Sequence, residues 1–299
     1  MFKTPIFKGS CTAIITPFSE NGIDYDKMRE LIEFQYDNNT EALVVCGTTG
    51  ENATMTQYEQ EKLIDFTCKT NDGRMKIIAG IGSNDTEKAL KNAKNAKHYG
   101  ADGVLMVTPY YNKSTQKGLV EHFSYVADRV DIPMILYNVP SRTGIGINAE
   151  TYLELSKNPN INGIKEASGD FTLVAKTREK CGDNLYIWSG NDDNTVAMMS
   201  LGAIGVISVA SNIVPGTISK ICRLCLDGKF AEASELFLRY NSLFAGLFIE
   251  TNPIPIKTAM NLAGFNVGKL RLPLTAMSED NLKKLTDILL ENDIKIRRS

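Results

Sequence analysis

"ALVVCGTTGENATMTQYEQEKLIDFTCKTNDGRMKIIAGIG", residues 42–82, contains the unit whose repetition decides the fold. It opens with a short apolar run, continues as a helical pattern after Thr56, and closes with a second apolar run at 76–82. Thr56 and Glu59 have the spacing of a capping box, which marks the start of a helix. A strand, a helix and another strand in this order predict two parallel strands joined by a helical crossover.

The same alternation continues along most of the chain. Strand-like runs begin near residues 10, 42, 76, 103, 133, 161, 185 and 204, and helical runs separate them. Asp24 and Asp85 are candidate caps for two of those helices. Eight units by Gly228 predict an α/β fold of the (β/α)8 TIM barrel type. An open, doubly wound sheet is the alternative, although no GxGxxG motif follows the first strand.

After Gly228 the alternation stops and the remaining pattern is helical. We therefore expect two regions, a (β/α)8 catalytic barrel at 1–228 and a C-terminal helical segment at 229–299 that packs on it. No low-complexity or charge-rich linker lies between them.

Composition indicates an ordinary globular chain. Of 299 residues, 43% are apolar and 23% are charged, and the net charge is −2. Because the charges are interspersed and form no basic patch, no nucleic-acid partner is expected. The N-terminal residues show no signal-peptide pattern, and a cytoplasmic location is predicted. Residues 194–219 are uncharged over a membrane-spanning length, but Gly202, Gly205 and Pro215 interrupt them, so we expect a buried helix followed by a buried strand.

Cysteines and histidines give no sign of a metal centre. Cys222 and Cys225 form a CxxC on one helical face, without a second CxxC or a histidine pair to complete a zinc site. His98 and His122, the two histidines, lie in charged helical stretches and are expected at the surface. We therefore expect no metal and no cofactor, and a histidine-driven mechanism is not favoured.

Lys165 is the residue that most needs explaining. It lies in "NGIKEASGD", residues 162–170, within a short run that reads as a buried strand. Lysine is seldom buried because its ammonium must give up water. If Lys165 points into the barrel, the small Gly163 and Ala167 share its face and leave it room, and its amine can attack a carbonyl. The alternative is that Lys165 reaches the rim and pairs with an acid such as Glu166.

Three other strand ends carry polar groups, and active residues of a barrel gather at that face. "GTTGE", 47–51, offers two hydroxyls and a glycine backbone able to hold a carboxylate. "YNVPSRTG", 137–144, offers a phenol and a guanidinium suited to carboxylates. "TPYYN", 108–112, offers two tyrosines. Taken alone, each motif has a structural explanation: "GTTGE" as a turn, Arg142 in a surface ion pair, and the tyrosines as packing residues. Together with Lys165 they indicate metal-free Schiff-base chemistry on a keto acid.

These motifs, with "GVISV" at 205–209, resemble in order and spacing the dihydrodipicolinate synthase family of the pyruvate-dependent class I aldolase superfamily. The resemblance extends over essentially the whole chain. It implies that Lys165 forms an imine with pyruvate and that Tyr137 is the general acid and base. It also implies that Thr48 and Tyr111 complete a proton relay, with Tyr111 reaching in from a neighbouring subunit.

The same resemblance implies the residues that bind substrate. Thr49 and Ile207 match positions that hold pyruvate, and Arg142 matches the arginine that receives the carboxylate of L-aspartate 4-semialdehyde. Gly190 lines the same mouth. Asn191 stands where members often carry aspartate, and we expect little consequence from this difference.

The function implied is condensation of pyruvate with L-aspartate 4-semialdehyde, the first step of the diaminopimelate and lysine branch. N-acetylneuraminate lyase and 2-keto-3-deoxy sugar-acid aldolase are alternatives within the superfamily, and a non-catalytic keto-acid sensor is an alternative of a different class. "YNVPSRTG" favours the synthase because its arginine suits a short carboxylated aldehyde. The expected assembly is a homotetramer of tight dimers, with a dimer as the alternative.

Many members are inhibited by lysine in a crevice at the dimer interface, and the resemblance places four residues in its lining: Asn52, Ala53, Asn84 and Tyr110. Gln57 and Gln60 replace residues that are histidines in some sensitive members. Lys88 stands where those members carry an acid that pairs with the inhibitor's amine. We therefore expect this chain to be insensitive to physiological lysine.

Overall fold

Eight parallel strands close into a barrel in the computed structural model, which describes residues 3–297. Each strand pairs with its neighbours in sequence, and the first pairs with the last. The strands are β1 (Gly9–Ala13), β2 (Ala42–Val45), β3 (Lys76–Gly80), β4 (Gly103–Val107), β5 (Met134–Asn138), β6 (Ile161–Glu166), β7 (Tyr186–Ser189) and β8 (Gly205–Ser208). The predicted TIM barrel is confirmed.

A helix follows each strand and packs outside the barrel. The helices are α1 (Tyr25–Asp37), α2 (Gln57–Asn71), α3 (Thr86–His98), α4 (Gln116–Ala127), α5 (Ala149–Ser156), α6 (Phe171–Cys181), α7 (Thr195–Ser200) and α8 (Pro215–Leu226). The three predicted caps are present, since the side chains of Asp24, Thr56 and Asp85 each accept a backbone N–H of the helix that follows. The Thr56 capping box with Glu59 is complete.

Beyond α8 the described chain is helical. The helices there are α9 (Phe230–Arg239), α10 (Asn241–Gly246), α11 (Ile254–Leu262) and α12 (Glu279–Glu291). Leu243, Ile256 and Leu285 of this region are buried in the same apolar cluster as the outer faces of the barrel strands. The C-terminal helices therefore pack on the barrel, and a boundary at 228 stays a prediction.

The barrel interior holds a separate, smaller apolar cluster, which includes Phe7 from the segment before β1. Phe7 stacks on Trp188 there, with ring centroids 4.9 Å apart. Gly163 leaves the space that the Trp188 ring fills, because a Cβ at this position would lie 2.5 Å from it. The interior is therefore filled around Phe7 and Trp188. The active sites of such barrels lie at the opposite end, toward the carboxyl ends of the strands.

The uncharged stretch at 194–219 folds as predicted, with α7 followed by the buried β8. None of the helices in the described part of the chain is long and apolar enough to cross a membrane. Cys222 and Cys225 are free and buried on α8, and burial raises the pKa of the Cys225 thiol to about 11.

The prediction for His122 is wrong. Its side chain is 7% exposed on α4, where it lies on the same helix face as Leu119 and Val126. Nδ1 is 2.8 Å from the Thr86 hydroxyl, and burial lowers the pKa of the imidazole to about 4. The charged residues around His122 suggested a surface position, but the helical spacing places it against α3. His98, in contrast, is exposed.

Candidate active site

A cavity of about 200 Å³ opens at the carboxyl ends of the barrel strands. Six of the residues singled out in the sequence line it: Thr48, Thr49, Tyr137, Arg142, Lys165 and Gly190. They come from the ends of four strands and the loops that follow, so residues up to 142 positions apart meet at one face (from Thr48 to Gly190). Asn191 also lines the cavity.

Lys165 points into the barrel, as predicted. It is 5% exposed, and its Nζ lies 4.5 Å from the centroid of the Tyr137 ring. Tyr137 and Lys165 are paired residues of β5 and β6, so strand register places the amine beside the phenol. The alternative pairing with Glu166 is wrong, because the Glu166 carboxylate is bound by Asn138 and Tyr152 on the other face of the sheet. No ion pair found within residues 3–297 includes Lys165.

The loop after β2 presents two hydroxyls of different character. Thr49 is buried, and its Oγ1 accepts a hydrogen bond of 3.1 Å from Nδ2 of Asn252. Since a hydroxyl both donates and accepts, the Thr49 O–H stays available to a ligand in the cavity. Thr48 is exposed at the cavity edge. A carboxylate bound here would meet a buried donor on one side and solvent on the other.

Arg142 stands at the rim, in a one-turn helix at Pro140–Thr143 that begins directly after β5 and its following residue Val139. Its Nη2 donates to the Asn252 carbonyl at 3.2 Å, which leaves most of the guanidinium donors directed to solvent and cavity. A planar guanidinium held at a cavity mouth suits a carboxylate that enters from outside.

Gly190 follows β7 where the chain passes close to β6. Its N–H donates to the Glu166 carbonyl at 2.8 Å. A Cβ at this position would lie 2.7 Å from the Ala167 Cβ, so glycine lets the two strand ends approach. Asp192, two residues on, is buried and accepts from the backbone N–H groups of Val209 and Ala210, which ties this loop to the end of β8.

Two predicted site residues do not line the cavity. Ile207 is fully buried in β8, in the apolar interior cluster below it. Tyr111 is 93% exposed and does not line the cavity of its own chain. Its φ of +68° lies in the left-handed region, which a bulky residue seldom adopts.

The sequence reasoning missed how the C-terminal segment supports this site. Glu51, the last residue of "GTTGE", is buried and bonds Lys257 of α11 at 2.7 Å. Its other oxygen accepts the Arg271 N–H at 3.0 Å. With the Asn252 bond to Thr49, these contacts fix the loop after β2 against residues about 200 positions away. The sequence marks Lys257 as unusual, because it interrupts an apolar run in "IPIKTAM" as Lys165 does in β6, but it does not show that Glu51 is its partner.

A second cavity of about 360 Å³ adjoins the first and is lined by three of the four predicted crevice residues: Asn52, Ala53 and Tyr110. The fourth, Asn84, donates from Nδ2 to the Tyr110 carbonyl at 3.1 Å.

Gln60 donates to the Asn52 and Met55 carbonyls, and Gln57 donates to Glu61. Lys88 is exposed on α3. Both glutamines are therefore engaged within the fold, whereas the lysine extends into solvent.

Groups able to hold a metal ion, with three or more histidine, cysteine, aspartate or glutamate side chains, do not occur among the described residues. The cavity instead combines an amine, a phenol, hydroxyls and a guanidinium. These groups suit covalent capture of a carbonyl compound, with proton transfer and carboxylate recognition beside it.

Comparison with known proteins gives a consistent result. A model of the dihydrodipicolinate synthetase family matches residues 6–292. The 4-hydroxy-tetrahydrodipicolinate synthase of Thermoanaerobacter sp. strain X514 is 53% identical, over 95% of this chain and 96% of the relative. The crystal structure of dihydrodipicolinate synthase from Aquifex aeolicus superposes with a TM-score of 0.96 at 46% identity, over 98% and 100% of the two chains. The enzyme of Cyanidioschyzon merolae with lysine bound superposes with a TM-score of 0.95 at 38% identity, over 98% and 100%.

Proposed function

The chain belongs to the dihydrodipicolinate synthetase family, and we propose that its cavity carries out the reaction of that family through an imine on Lys165. The chain is an enzyme with 4-hydroxy-tetrahydrodipicolinate synthase activity, which condenses pyruvate with L-aspartate 4-semialdehyde in the diaminopimelate and lysine branch. The observation that supports the role of Lys165 is a buried amine next to a phenol in an open cavity, with no acidic partner among residues 3–297. We place the reaction in the cytoplasm.

The proposed reaction starts when the Lys165 amine attacks the ketone carbon of pyruvate. Water leaves and a protonated imine forms, which draws electrons from the adjacent methyl group. Loss of a methyl proton then gives an enamine, whose carbon attacks the aldehyde of L-aspartate 4-semialdehyde. Finally, the amino group of the semialdehyde portion displaces Lys165 from the imine carbon, which closes the ring and returns the free amine.

Tyr137 is the group proposed to move protons in these steps, because its ring lies against the Lys165 amine. A phenol transfers protons efficiently when a hydrogen-bonded path connects it to solvent. Thr48, exposed at the cavity edge, is the proposed next member of that path. The partner's tyrosine at position 111 is the proposed last member.

Carboxylate recognition is assigned to two places in the cavity. Thr49 is proposed to donate its O–H to the carboxylate of pyruvate, with the backbone near Ile207 and the Gly190 turn closing the opposite side. Arg142, at the rim, is proposed to receive the carboxylate of the semialdehyde, which arrives second.

A direct assay separates this function from the other aldolase reactions of the superfamily. Purified enzyme is supplied in parallel with pyruvate and L-aspartate 4-semialdehyde, with N-acetylneuraminate, and with a 2-keto-3-deoxy sugar acid. We expect consumption of the semialdehyde to be the fastest reaction by a wide margin. Faster cleavage of either sugar acid would overturn the assignment of substrate.

We propose that the active assembly is a homotetramer of tight dimers, with a dimer as the smaller alternative. Tyr111 supports a shared site, since it combines 93% exposure with a strained backbone conformation. A backbone conformation of this kind costs free energy, and such residues are concentrated at functional sites. In the proposal, each chain inserts Tyr111 into the cavity of its partner.

Subunit mixing tests the shared site. Lys165→Ala and Tyr111→Phe chains, each of low activity alone, are unfolded, mixed and refolded together. In a hybrid dimer one cavity then carries both substitutions and the other carries neither, so we expect activity to recover. The same variants refolded separately are the control. No recovery on mixing, or full activity of a species that sediments as a monomer, would contradict the shared site.

Lysine is expected to inhibit this enzyme poorly. Replacing an acid by Lys88 near the inhibitor's amine exchanges an attraction for a repulsion. If ~2 to 3 kcal/mol of that change survives screening, lysine binds roughly thirty- to hundredfold more weakly. Titration of L-lysine into the condensation assay measures its inhibition constant. Half-inhibition below about 1 mM, which corresponds to a binding free energy of about −4 kcal/mol, would contradict the expected insensitivity.

Lys88→Glu provides the matched variant. Because Lys88 is exposed on α3, the substitution should leave the fold and the uninhibited rate unchanged. We expect it to increase sensitivity to L-lysine by the same thirty- to hundredfold, roughly the effect of ~2 to 3 kcal/mol. Equal sensitivity of the two proteins would show that position 88 does not face the inhibitor.

A further inference from the structure

The outer face of β5 and β6 carries a buried polar cluster directly behind the cavity. Asn138 and Glu166 follow Tyr137 and Lys165 in sequence and form the next cross-strand pair. Since side chains alternate between the faces of a strand, the inner pair belongs to the cavity and the outer pair to the helix layer. We call Asn138, Tyr152, Glu166 and Ser168 the Glu166 cluster.

Hydrogen bonds within the Glu166 cluster converge on one carboxylate. Nδ2 of Asn138 donates to its two oxygens at 3.1 and 2.9 Å, and the Tyr152 hydroxyl donates to Oε2 at 2.8 Å. The Ser168 N–H donates to Oε1 at 2.8 Å. Asn138 in turn accepts the Ile147 N–H through its side chain, and its carbonyl accepts the Ala167 N–H. The cluster therefore joins the ends of β5 and β6 to α5 (Ala149–Ser156).

The carboxylate at the centre is buried and has no cationic partner among residues 3–297. Burial raises the pKa of Glu166. Burial and the neighbouring carboxylate raise the pKa of Tyr152 well above its ordinary value. The phenol therefore stays protonated and donates a hydrogen bond to Glu166. An acidic group held inside only by neutral donors is costly, and apolar side chains of similar size serve packing better. Stability alone does not account for Glu166.

Register explains what the Glu166 cluster can do. The pairing of β5 with β6 is irregular near its start, where Met134 pairs with Ile161 but Ile135 pairs with Gly163. One residue of β6, Asn162, is therefore extra, as in a β-bulge. A slip of one residue would exchange the faces of Lys165 and Glu166. Beyond the irregularity, the bond between Asn138 and Glu166 holds the register in which amine and phenol face each other.

We propose that Glu166 is a positioning residue for the reaction, which fixes Lys165 and Tyr137 from the opposite face of the sheet through Asn138 and Tyr152. The inference rests on the proposed roles of Lys165 and Tyr137. Glu166 touches no substrate, and it acts only through the placement of its strand.

Tyr152→Phe is the variant that isolates this effect, because it removes one hydrogen bond and keeps the ring. We expect kcat and the rate of imine formation with pyruvate to fall ~10- to 100-fold, the scale that small misplacements of reacting groups produce. KM for pyruvate should change by less than about threefold, because the groups proposed to bind pyruvate are untouched. The rate of imine formation is measured by adding borohydride at successive times after pyruvate and following the amount of trapped adduct. All assays are run well below the unfolding temperature.

Tyr125→Phe is the matched control, since Tyr125 donates a similar hydrogen bond of 2.6 Å to Glu87 on the barrel exterior. It should leave kcat unchanged. Glu166→Gln, which directs an amide N–H₂ at the donors of the cluster, should lower kcat more than Tyr152→Phe does; if it fails to fold, Tyr152→Phe decides. A lower unfolding temperature with kcat within about twofold of the unchanged enzyme would overturn the inference and leave a structural role only.

The outcomes separate this inference from the proposed function. If the unchanged enzyme gives no trapped adduct with pyruvate, the imine on Lys165 is wrong and the positioning role falls with it. If the unchanged enzyme gives the adduct and Tyr152→Phe gives it equally fast, only the positioning role is overturned.

Discussion

Lys165→Ala is expected to form no adduct with pyruvate and to lower kcat by ~10⁴- to 10⁶-fold, the scale on which removal of a catalytic nucleophile acts. The substitution removes the amine that carries every proposed intermediate. The fold should persist, because Lys165 takes part in no ion pair within residues 3–297 and its side chain borders an open cavity. Steady-state condensation and borohydride trapping measure the two effects.

Lys257 provides the internal control for this experiment. It is a second buried lysine, 1% exposed, but it is bound to Glu51 at 2.7 Å and lies outside the cavity that Lys165 lines. Lys257 in the unchanged enzyme should therefore remain free of adduct, and Lys176→Ala, at an exposed lysine of α6, should retain full activity. If kcat of Lys165→Ala stays within about tenfold of the value for the unchanged enzyme, a group other than Lys165 must form the covalent intermediate.

Tyr137→Phe is expected to separate binding from turnover. The phenyl ring keeps its place beside the Lys165 amine, 4.5 Å from the ring centroid, so pyruvate should still enter and be trapped. The hydroxyl that moves protons is lost, and kcat should fall ~10²- to 10⁴-fold, the usual contribution of general acid and base catalysis. Condensation kinetics and the final extent of trapping are measured on the same preparation.

The Tyr125→Phe variant described above serves again as the control for loss of a tyrosine hydroxyl. Near-normal turnover of Tyr137→Phe would remove Tyr137 from the mechanism. Loss of trapping together with turnover would instead assign Tyr137 to the formation of the imine.

The fold was predictable because its signal is local. Each unit is recognisable from an apolar run, a helical pattern and another apolar run. In the unit at 42–82, the capping box of Thr56 and Glu59 also marks where the helix begins. Eight repeats of that pattern leave few arrangements, and the barrel is the one found. The direction of Lys165 was predictable only from several motifs together, because β6 alone left the barrel interior and the rim equally open, and the motifs at the other strand ends favoured the interior.

Other parts of the site depend on contacts that no local pattern reveals. Glu51 and Lys257 are 206 residues apart, and the sequence does not show that they are partners. Lys165 and Lys257 interrupt similar apolar runs. Lys165 borders a cavity whose lining, among the described residues, includes no acid, whereas Lys257 is paired with Glu51. Only the fold distinguishes the lysine proposed to react from the lysine that supports a loop.

Two residues show the limits of reading single positions. His122 was assigned to the surface from its charged neighbours, but helical periodicity directs it inward beside Leu119 and Val126. Tyr111 lies outside the cavity of its own chain, and its proposed role depends on a partner subunit. Residues that act across an interface are identified by resemblance or by experiment, because one chain does not hold their contacts.

Borohydride trapping with pyruvate, followed by peptide mapping, tests the central claim most directly. The enzyme is incubated with pyruvate, reduced, digested, and analysed by mass spectrometry for the carboxyethyl group that a reduced pyruvate imine leaves on lysine. We predict one modified position, Lys165, modified only when pyruvate is present, with Lys257 unmodified in the same digest. An enzyme that is active in condensation but carries no adduct, or carries it on a different lysine, would contradict the account.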